Sequence, residues 1–477
     1  QFPIDTEFVI AIGHKGDIVK QYLQVAHSNR KFIFVEIDKF EGPGTGPYYS
    51  ITQCKEYLQC PFYFVSCDSI IRSSDWKYNL MLFHSWASFD DIEDDQKENY
   101  CTAQDNEDYE IIQIFNKSKE GTNHAFTGIA YIKEYDEFWD SLGKEISLEE
   151  IAPTILKMKN MCMTDNNWFD TGNEEGLQKA RKHFKGIQNL DKLDEEIYFF
   201  DDYVVKYFYD ENIVADRLKR TKYLGNTIPK IIGLSKNYYK YEFLKGKNLF
   251  EIENPHEVLP ALLKYAQLNL WKKIELNEED KLFFLNACET MYYDKTINRL
   301  MKLKFADSLK LVSSLDSLFS LINWEELYNG IPSNIHGDFQ FSNILSVEKE
   351  NYKTFKLLDW RDGFYVLLEY GDLYYDFAKL YANLLWPHDS VKNKKYIIQE
   401  EKDSVLATIE ISDSIRKCIS IFEKWIVENN YSLKKVKALS YLVLLNMAPL
   451  HEAPLDKHLF YYAKQLLYTE LKCLEMI

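Results

Sequence analysis

Apolar runs of strand length alternate with helical stretches over the first seventy residues. Residues 7–12 (EFVIAI) read as a buried strand, Asp17 to Ala26 as a helix, and residues 31–37 (KFIFVEI) as a second strand. A Gly/Pro turn, EGPGTGPYYS, then opens a helix through Tyr57, and residues 61–67 (PFYFVSC) make a third apolar run ending at Asp68. This β-α-β-α-β rhythm predicts a doubly wound α/β domain with a parallel sheet. The acidic stretch 89–99 has no period and is expected to be an exposed loop; strands follow near 110–115 and 126–132, and a helix near 174–184.

The rhythm changes behind a polar stretch at 185–196, which places a domain boundary near residue 187. Residues 197–208 alternate like a hairpin strand, 211–224 read as a helix and 238–244 (YYKYEFL) as a strand. From about residue 250 the pattern is helical, broken by a loop at 332–343 and a short strand at 355–359. The expected division is therefore 1–186 for a front domain and 187–477 for a rear one. The rear domain is expected to be α+β, with a strand-bearing part at about 190–247 and a mostly helical part at 248–477. No internal repeat is visible, so the halves read as a fusion rather than a duplication.

A chain of 477 residues is long enough for two cores. Its net charge of −17 argues against nucleic acid as a partner, because phosphate backbones call for a basic face. Eight scattered cysteines show neither zinc spacing nor a disulfide framework, which fits a reduced, cytoplasmic setting. No apolar run is long enough for membrane insertion, and no secretory leader is legible.

The most specific chemistry lies in HGDFQFSNIL (336–345) followed by KLLDW (356–360). Phosphoryl transfer needs one carboxylate to accept the proton of the attacking hydroxyl. It also needs an amide oxygen and a second carboxylate to hold Mg²⁺ against the phosphates. Asp338, Asn343 and Asp359 occur in that order. With EYGDLYYDFAKL (369–380), this pattern resembles the aminoglycoside phosphotransferase and choline kinase family over roughly 190–477. The resemblance implies a protein-kinase-like, bilobal α+β fold with a small lobe at about 190–247 and a mostly helical lobe at 248–477, and Asp338 as catalytic base and Asn343 and Asp359 as magnesium ligands. It further implies Lys206 as the strand lysine on the ATP phosphates and Tyr241 to Phe243, with Glu242 at the centre, as the hinge beside adenine. Glu211 and Asp216 are the candidate partners of Lys206, and Asp216 is the preferred one.

In the front half four pieces stand in order: GPGTGP (42–47), FVSCDSI (64–70), NKSKEGTNHAFTGIAYI (116–132) and WFDTGNEEGLQKA (168–180). Asp68 ends a buried strand, where doubly wound sheets place ligand groups, and Asp170 sits in a tight turn. Two such acids can hold Mg²⁺ against a triphosphate. Together the pieces resemble the sugar-1-phosphate nucleotidyltransferases over about 1–185. By that resemblance Asp68 and Asp170 bind the metal, Lys117 grips the sugar phosphate, Gly128 lies beside the sugar, and Gly44 and Thr45 lie beside the base. Asn116 stands where that family usually has Glu. The family's first strand and its Gly-rich, Arg- and Lys-bearing triphosphate loop have no counterpart here, and they are expected before Gln1.

These readings imply a bifunctional enzyme. A kinase would use ATP to phosphorylate a small molecule, preferably a sugar at its anomeric carbon. A nucleotidyltransferase would then couple the product to a second NTP, giving an NDP-sugar for surface polysaccharide or cell wall. The alternatives are an amino-alcohol kinase joined to a cytidylyltransferase, or a nucleotide-binding scaffold with a degenerate front domain.

Overall fold

The computed structural model describes residues 2–71, 84–142, 150–184, 194–303, 314–349, 352–401 and 404–475. The expected boundary near residue 187 lies outside the described residues. By its contacts the chain divides into two compact units, 1–199 with 205–207 and 200–204 with 208–477. Both are mixed α/β.

The front unit opens as the periodicity predicts. Strand β1 (Glu7–Ile12), helix α1 (Gly16–Ala26) and strand β2 (Lys31–Glu36) form a β-α-β unit. Its strands pair in parallel, Glu7 opposite Lys31 through Ile12 opposite Glu36. Helix α2 (Pro47–Gln53) starts at a proline, whose missing N–H costs nothing in the first helical turn.

The third strand departs from the expected parallel sheet. Strand β3 (Phe62–Val65) runs antiparallel to a long later strand, β8 (His124–Ile132). Between them come β4 (Ser69–Ile71), β5 (Trp86–Asp91), β6 (Cys101–Asp105) and β7 (Ile111–Asn116). Behind β8 come α3 (Tyr135–Leu142), α4 (Ala152–Leu156), β9 (Cys162–Asp165), β10 (Trp168–Asp170) and α5 (Glu174–His183). The large sheet runs β7-β6-β8-β5-β9, with β3 also on β8, and its pairings are antiparallel except β5 with β9. The apolar run of β3 therefore reported burial but not direction. Phe89 to Asp91, expected in a loop, close β5, where Phe89 is fully buried. Phe62, Phe89, Phe126, Ala130 and Ile132 pack with Phe138, Trp139 and Leu142 of α3 to form the core.

The rear unit follows the hairpin of β11 (Glu195–Phe199) and β12 (Tyr203–Phe208), within which the division falls. Helix α6 (Glu211–Leu224) is capped by Asp210, whose carboxylate accepts from the Asn212 amide. Strands β13 (Ile231–Leu234) and β14 (Tyr238–Glu242) complete a sheet of order β11-β12-β14-β13.

The helical part comprises α7 (Pro255–Asn269), α8 (Glu278–Glu289), a π-helical turn at Thr290–Asp294 and α9 (Lys295–Leu300). Next come a hairpin of β15 (Ile344–Lys349) and β16 (Tyr352–Leu357) and helix α10 (Leu373–Leu385). A second hairpin, Tyr396–Glu400 with Val405–Ile409, interrupts the segment read as helical. Helices α11 (Asp413–Glu428), α12 (Leu433–Met447) and α13 (Leu455–Glu475) close the unit. Helix α10 is buried over almost its whole length, and Phe377 packs against Trp271, Phe422 and Trp425.

Gly128 marks the irregular point of β8. Its φ is +79°, and an added Cβ would stand 2.7 Å from Ser66 Oγ and 3.0 Å from Ser69 Oγ. Gly128→Ala combines a strained backbone with that clash. It is expected to destabilise the front unit by about 2 kcal/mol or more, read as faster hydrogen exchange along β8. Unchanged protection would show that the turn at 66–69 gives way.

Candidate functional site

The front carboxylates are brought together by strand pairing. Strands β10 and β4 are antiparallel, with Asp170 opposite Ser69, the neighbour of Asp68. The amide and hydroxyl of Thr171 both donate to the Asp68 carbonyl at 2.8 Å. Asp68 Oδ2 and Asp170 Oδ1 face one point over Gly172, where an added Cβ would lie 3.0 and 3.1 Å from them.

Three groups hold the Asp170 carboxylate. Tyr100 Oη donates to Oδ2 at 2.6 Å, Asn173 Nδ2 to the same oxygen at 3.1 Å, and the Gly172 amide to Oδ1 at 2.9 Å. Burial raises the Tyr100 phenol, and the hydrogen bond to Asp170 adds to it, so Tyr100 stays a donor. Asn173 also caps α5, accepting from the Gly176 amide at 2.9 Å, so one side chain starts the helix and steers the acid. Tyr100 and Asn173 were not foreseen; the asparagine before an acidic first turn is a legible cap, but its second role is tertiary.

The other front candidates are placed unevenly. Gly128 adjoins the turn that carries Asp68, since its carbonyl accepts from the Ser66 amide at 2.9 Å. The Lys117 amide donates to the carbonyl of Tyr100, the residue whose phenol holds Asp170, at 3.2 Å. Its ammonium is half exposed and paired with Glu150 at 2.5 Å. Gly44 has φ +81° with open space around its Cβ position, and Thr45 Oγ1 closes its own turn onto the Gly42 carbonyl at 2.6 Å.

In the rear unit the loop 336–343 is shaped by Asp376, a buried carboxylate on α10. Its oxygens accept from the amides of His336 at 2.8 Å and Gly337 at 2.7 Å and from Trp271 Nε1 at 3.0 Å. His336 is buried, and burial lowers its pKa to about 4, so the ring is neutral. Its Nε2 lies 2.9 Å from the Leu358 carbonyl and its Nδ1 accepts from the Asp338 amide at 3.2 Å, which joins the loop to the strand end bearing Asp359.

Asp338 and Asn343 are in contact. Asn343 Nδ2 donates to Asp338 Oδ2 at 2.8 Å and to the Asp338 carbonyl at 3.0 Å. Lys379 of α10 pairs with Asp338 Oδ1 at 2.6 Å. Burial alone would raise the Asp338 carboxyl, but the Lys379 ammonium outweighs it and holds the pKa below the ordinary value. The Leu358 amide donates to the Asn343 carbonyl at 2.7 Å, setting Asn343 beside Asp359. Asp359 itself has φ +56°, a left-handed conformation that Asp tolerates better than most residues.

The lysine pairing differs from expectation. Lys206 Nζ lies 2.7 Å from Glu195 Oε1 of β11, while Asp216 pairs with Lys219 at 2.8 Å. The inward position of α6 belongs to Arg217, one residue on. Its Nη1 meets Asp359 Oδ1 at 2.6 Å and the Tyr239 hydroxyl at 3.1 Å, and its guanidinium lies over the Phe208 ring. Arg220, also on α6, donates to the carbonyls of Ile335, Arg361 and Leu368. Glu211 lies 4.0 Å from Lys236 on the exposed side. At the expected hinge the Glu242 amide donates to the Lys230 carbonyl at 3.1 Å, the Glu242 carboxylate accepts from the Lys230 amide at 2.9 Å, and the Phe243 amide donates to the Asp202 carbonyl at 2.9 Å.

Both sets of residues fit a hard cation in donor type. Asn343 spends its amide nitrogen on Asp338, and no described protein donor meets its side-chain oxygen. Carboxylate and amide oxygens suit Mg²⁺. Among the described residues no three His, Cys, Asp or Glu side chains converge, so a cation at either place would take its remaining oxygens from phosphate and water.

No protein-family model matches the chain, and no curated protein does. Solved structures align with its N-terminal part. One is the inositol-1-phosphate CTP transferase of T. maritima, at 20% identity and TM-score 0.31, covering 38% of this chain and 78% of that one. Another is HddC of Yersinia pseudotuberculosis, at 16% and 0.30, covering 38% and 79%. A third is a UDP-glucose pyrophosphorylase in complex with UDP-glucose, at 14% and 0.30, covering 37% and 80%. Similarity at this level does not assign the chain to a family.

Asp376→Ala would leave three buried donors without an acceptor and is expected to cost about 3 kcal/mol or more in a urea titration of the full chain. Burial raises the Asp376 carboxyl to about 6. The folded state therefore keeps this proton where the unfolded state has lost it, and stability falls as pH rises from about 4 to about 6. Wild-type stability measured against Asp376→Asn should decline across that window and level off above it. A difference that is flat with pH would contradict the assignment.

Proposed function

We propose that the chain carries two transfer centres that act in series. At the rear centre a hydroxyl of a small acceptor attacks the γ-phosphorus of ATP. Its proton passes to an Asp338 oxygen, the bond from that phosphorus to the bridging oxygen breaks, and ADP leaves. The observation that carries this reading is the Asp338–Asn343 contact, held on one side by Lys379 and fixed from below by Asp376. Asp338, kept ionised by Lys379, is available as a proton acceptor. Mg²⁺ bound by Asn343 and Asp359 would supply charge neutralisation for the phosphates. Arg217, already on Asp359, adds a fixed positive charge and ties α6 to that acid.

At the front centre a phosphate oxygen of the phosphorylated acceptor attacks the α-phosphorus of an NTP, and pyrophosphate leaves. The convergence of Asp68 and Asp170 over Gly172 supports this reading, with Lys117 as the candidate for the acceptor's phosphate once it is exchanged from Glu150. The acceptor is proposed to be a sugar phosphorylated at its anomeric carbon, which makes the product an NDP-sugar. A scaffold reading draws on the same ion pairs, since Glu150 and Arg217 already occupy Lys117 and Asp359.

Two measurements test the pair of sites. Asp338→Asn should lower ATP-dependent phosphorylation by roughly 10²–10⁴, with Mg-ATP still bound, and near-wild-type turnover would sink the rear assignment. Asp68→Asn or Asp170→Asn should each cut pyrophosphate release by about 10²–10³, while the double variant loses far less than the product of the two, because the acids act as a unit. Fully multiplicative losses would argue against one shared metal, and absence of release from the wild type would favour the scaffold.

A further inference from the structure

Beside the rear centre is a cavity of about 360 Å³, a size suited to one small molecule. Its charged lining is lopsided: Lys295, Arg299, Lys302 and Arg361 against Asp294 and Asp362. Such an excess is a local construction in a chain of net charge −17. It is built by the π-helical turn at Thr290–Asp294, which hands the chain to α9. Lys295 and Arg299, four apart on α9, share one face, and Lys302 follows in the turn that ends the helix.

Lys295, Arg299 and Arg361 take hydrogen-bond partners other than carboxylates. Arg299 spends Nη1 on the carbonyl and side-chain oxygens of Asn446, at 3.2 and 2.5 Å, and both partners are neutral. Lys295 Nζ and Arg361 Nη1 both approach the buried Tyr375 hydroxyl, at 3.5 and 3.2 Å. Among the described residues no carboxylate lies within ion-pair distance of Lys295, Arg299, Lys302 or Arg361. Burial lowers Lys295 to about 8, and Arg361, Arg299 and Lys379 push the same way. Burial would raise the Tyr375 phenol, but Lys295, Arg361 and Lys379 outweigh it and bring it to about 7.

The cavity is joined to the reacting groups. Tyr375 and Lys379 are one turn apart on α10, and Lys379 pairs with Asp338. The Arg361 amide donates to the His336 carbonyl at 3.0 Å. A molecule seated against Arg361 and Lys295 therefore lies alongside the wall that carries the proposed base.

We infer that this cavity receives the anionic end of the phosphoryl acceptor, so that the acceptor is a hydroxyl compound bearing a carboxylate or phosphate, such as an acidic sugar, and not a neutral sugar or a cationic amino alcohol. This rests on the phosphotransfer reading above. Arginine's planar fork suits both anions, and neither is consumed: the anionic group anchors while the hydroxyl takes the phosphoryl group. An amino alcohol would place a fifth cation beside these four.

The test measures ADP release by the full chain with Mg-ATP and four acceptors: glucuronate, glucose 6-phosphate, glucose and choline. One of the two anions should exceed glucose and choline in kcat/KM by about tenfold or more, and which one does separates carboxylate from phosphate. For that acceptor, Lys302→Gln and Arg299→Gln should raise KM by about tenfold with a smaller change in kcat, and Lys302→Arg should restore it. Lys302 is exposed, so its variants report charge rather than folding. ADP release that depends on Asp338 but favours glucose or choline overturns this inference and leaves the phosphotransfer reading standing. A preferred anion whose KM ignores both glutamine variants overturns the placement in this cavity. No Asp338-dependent ADP release with any acceptor removes both.

Discussion

The carboxylate of Asp376 is the constraint on which the rear centre depends. It is buried in the middle of α10 and takes three hydrogen bonds, two of them from consecutive amides of the loop that carries Asp338. A buried charge is tolerated only when its oxygens are satisfied, so the helix and the loop have one relative placement in which both are stable. His336, held by that clamp, reaches the carbonyl before Asp359, and the loop and the strand end become one unit. The clamp is a positioning device: Asp376 meets the backbone of the loop, while the Asp338 carboxylate is left to Lys379 and Asn343.

The second theme is charge balance inside an acidic protein. Asp338 is matched by Lys379, Asp359 by Arg217 and the carbonyls around the loop by Arg220. Two of these cations sit three residues apart on α6, and the third lies on α10. The cavity of Lys295, Arg299, Lys302 and Arg361 stands out against this pattern because, among the described residues, none of its cations is in ion-pair contact with a carboxylate. Charges that folding leaves unmatched are the ones available to a ligand.

The front centre is built by different means. Its two acids lie at a turn and at a strand end, and neither is fully buried. Asp68 follows a strand end, Asp170 closes a short strand, and the antiparallel pairing of β4 with β10 sets them side by side. Gly128 lets β8 pass close to the turn at 66–69, and Asn173 ties Asp170 to the start of α5. Precision here comes from backbone register and one helix cap.

What the sequence by itself determined is what short-range spacing encodes. The helix over 211–224, the β-α-β unit at the front, the turn of Asp68 and the five-residue step from Asp338 to Asn343 were all legible, because periodicity and turn chemistry act over a few residues. The carboxylates and the amide of both candidate centres are proposed on the same ground, as residue types in a fixed order. Strand direction was not, because the apolar run of β3 has the same pattern whether it pairs in parallel or against β8. Nor were the cations: Arg217 meets Asp359 across 142 residues, and Lys206 takes Glu195 from its own hairpin where Asp216 was expected. A single charged residue inside an apolar helix, such as Asp376 or Lys379, signals that a partner exists. Which partner it is depends on the packing of elements distant in the chain, and only the tertiary structure decides that.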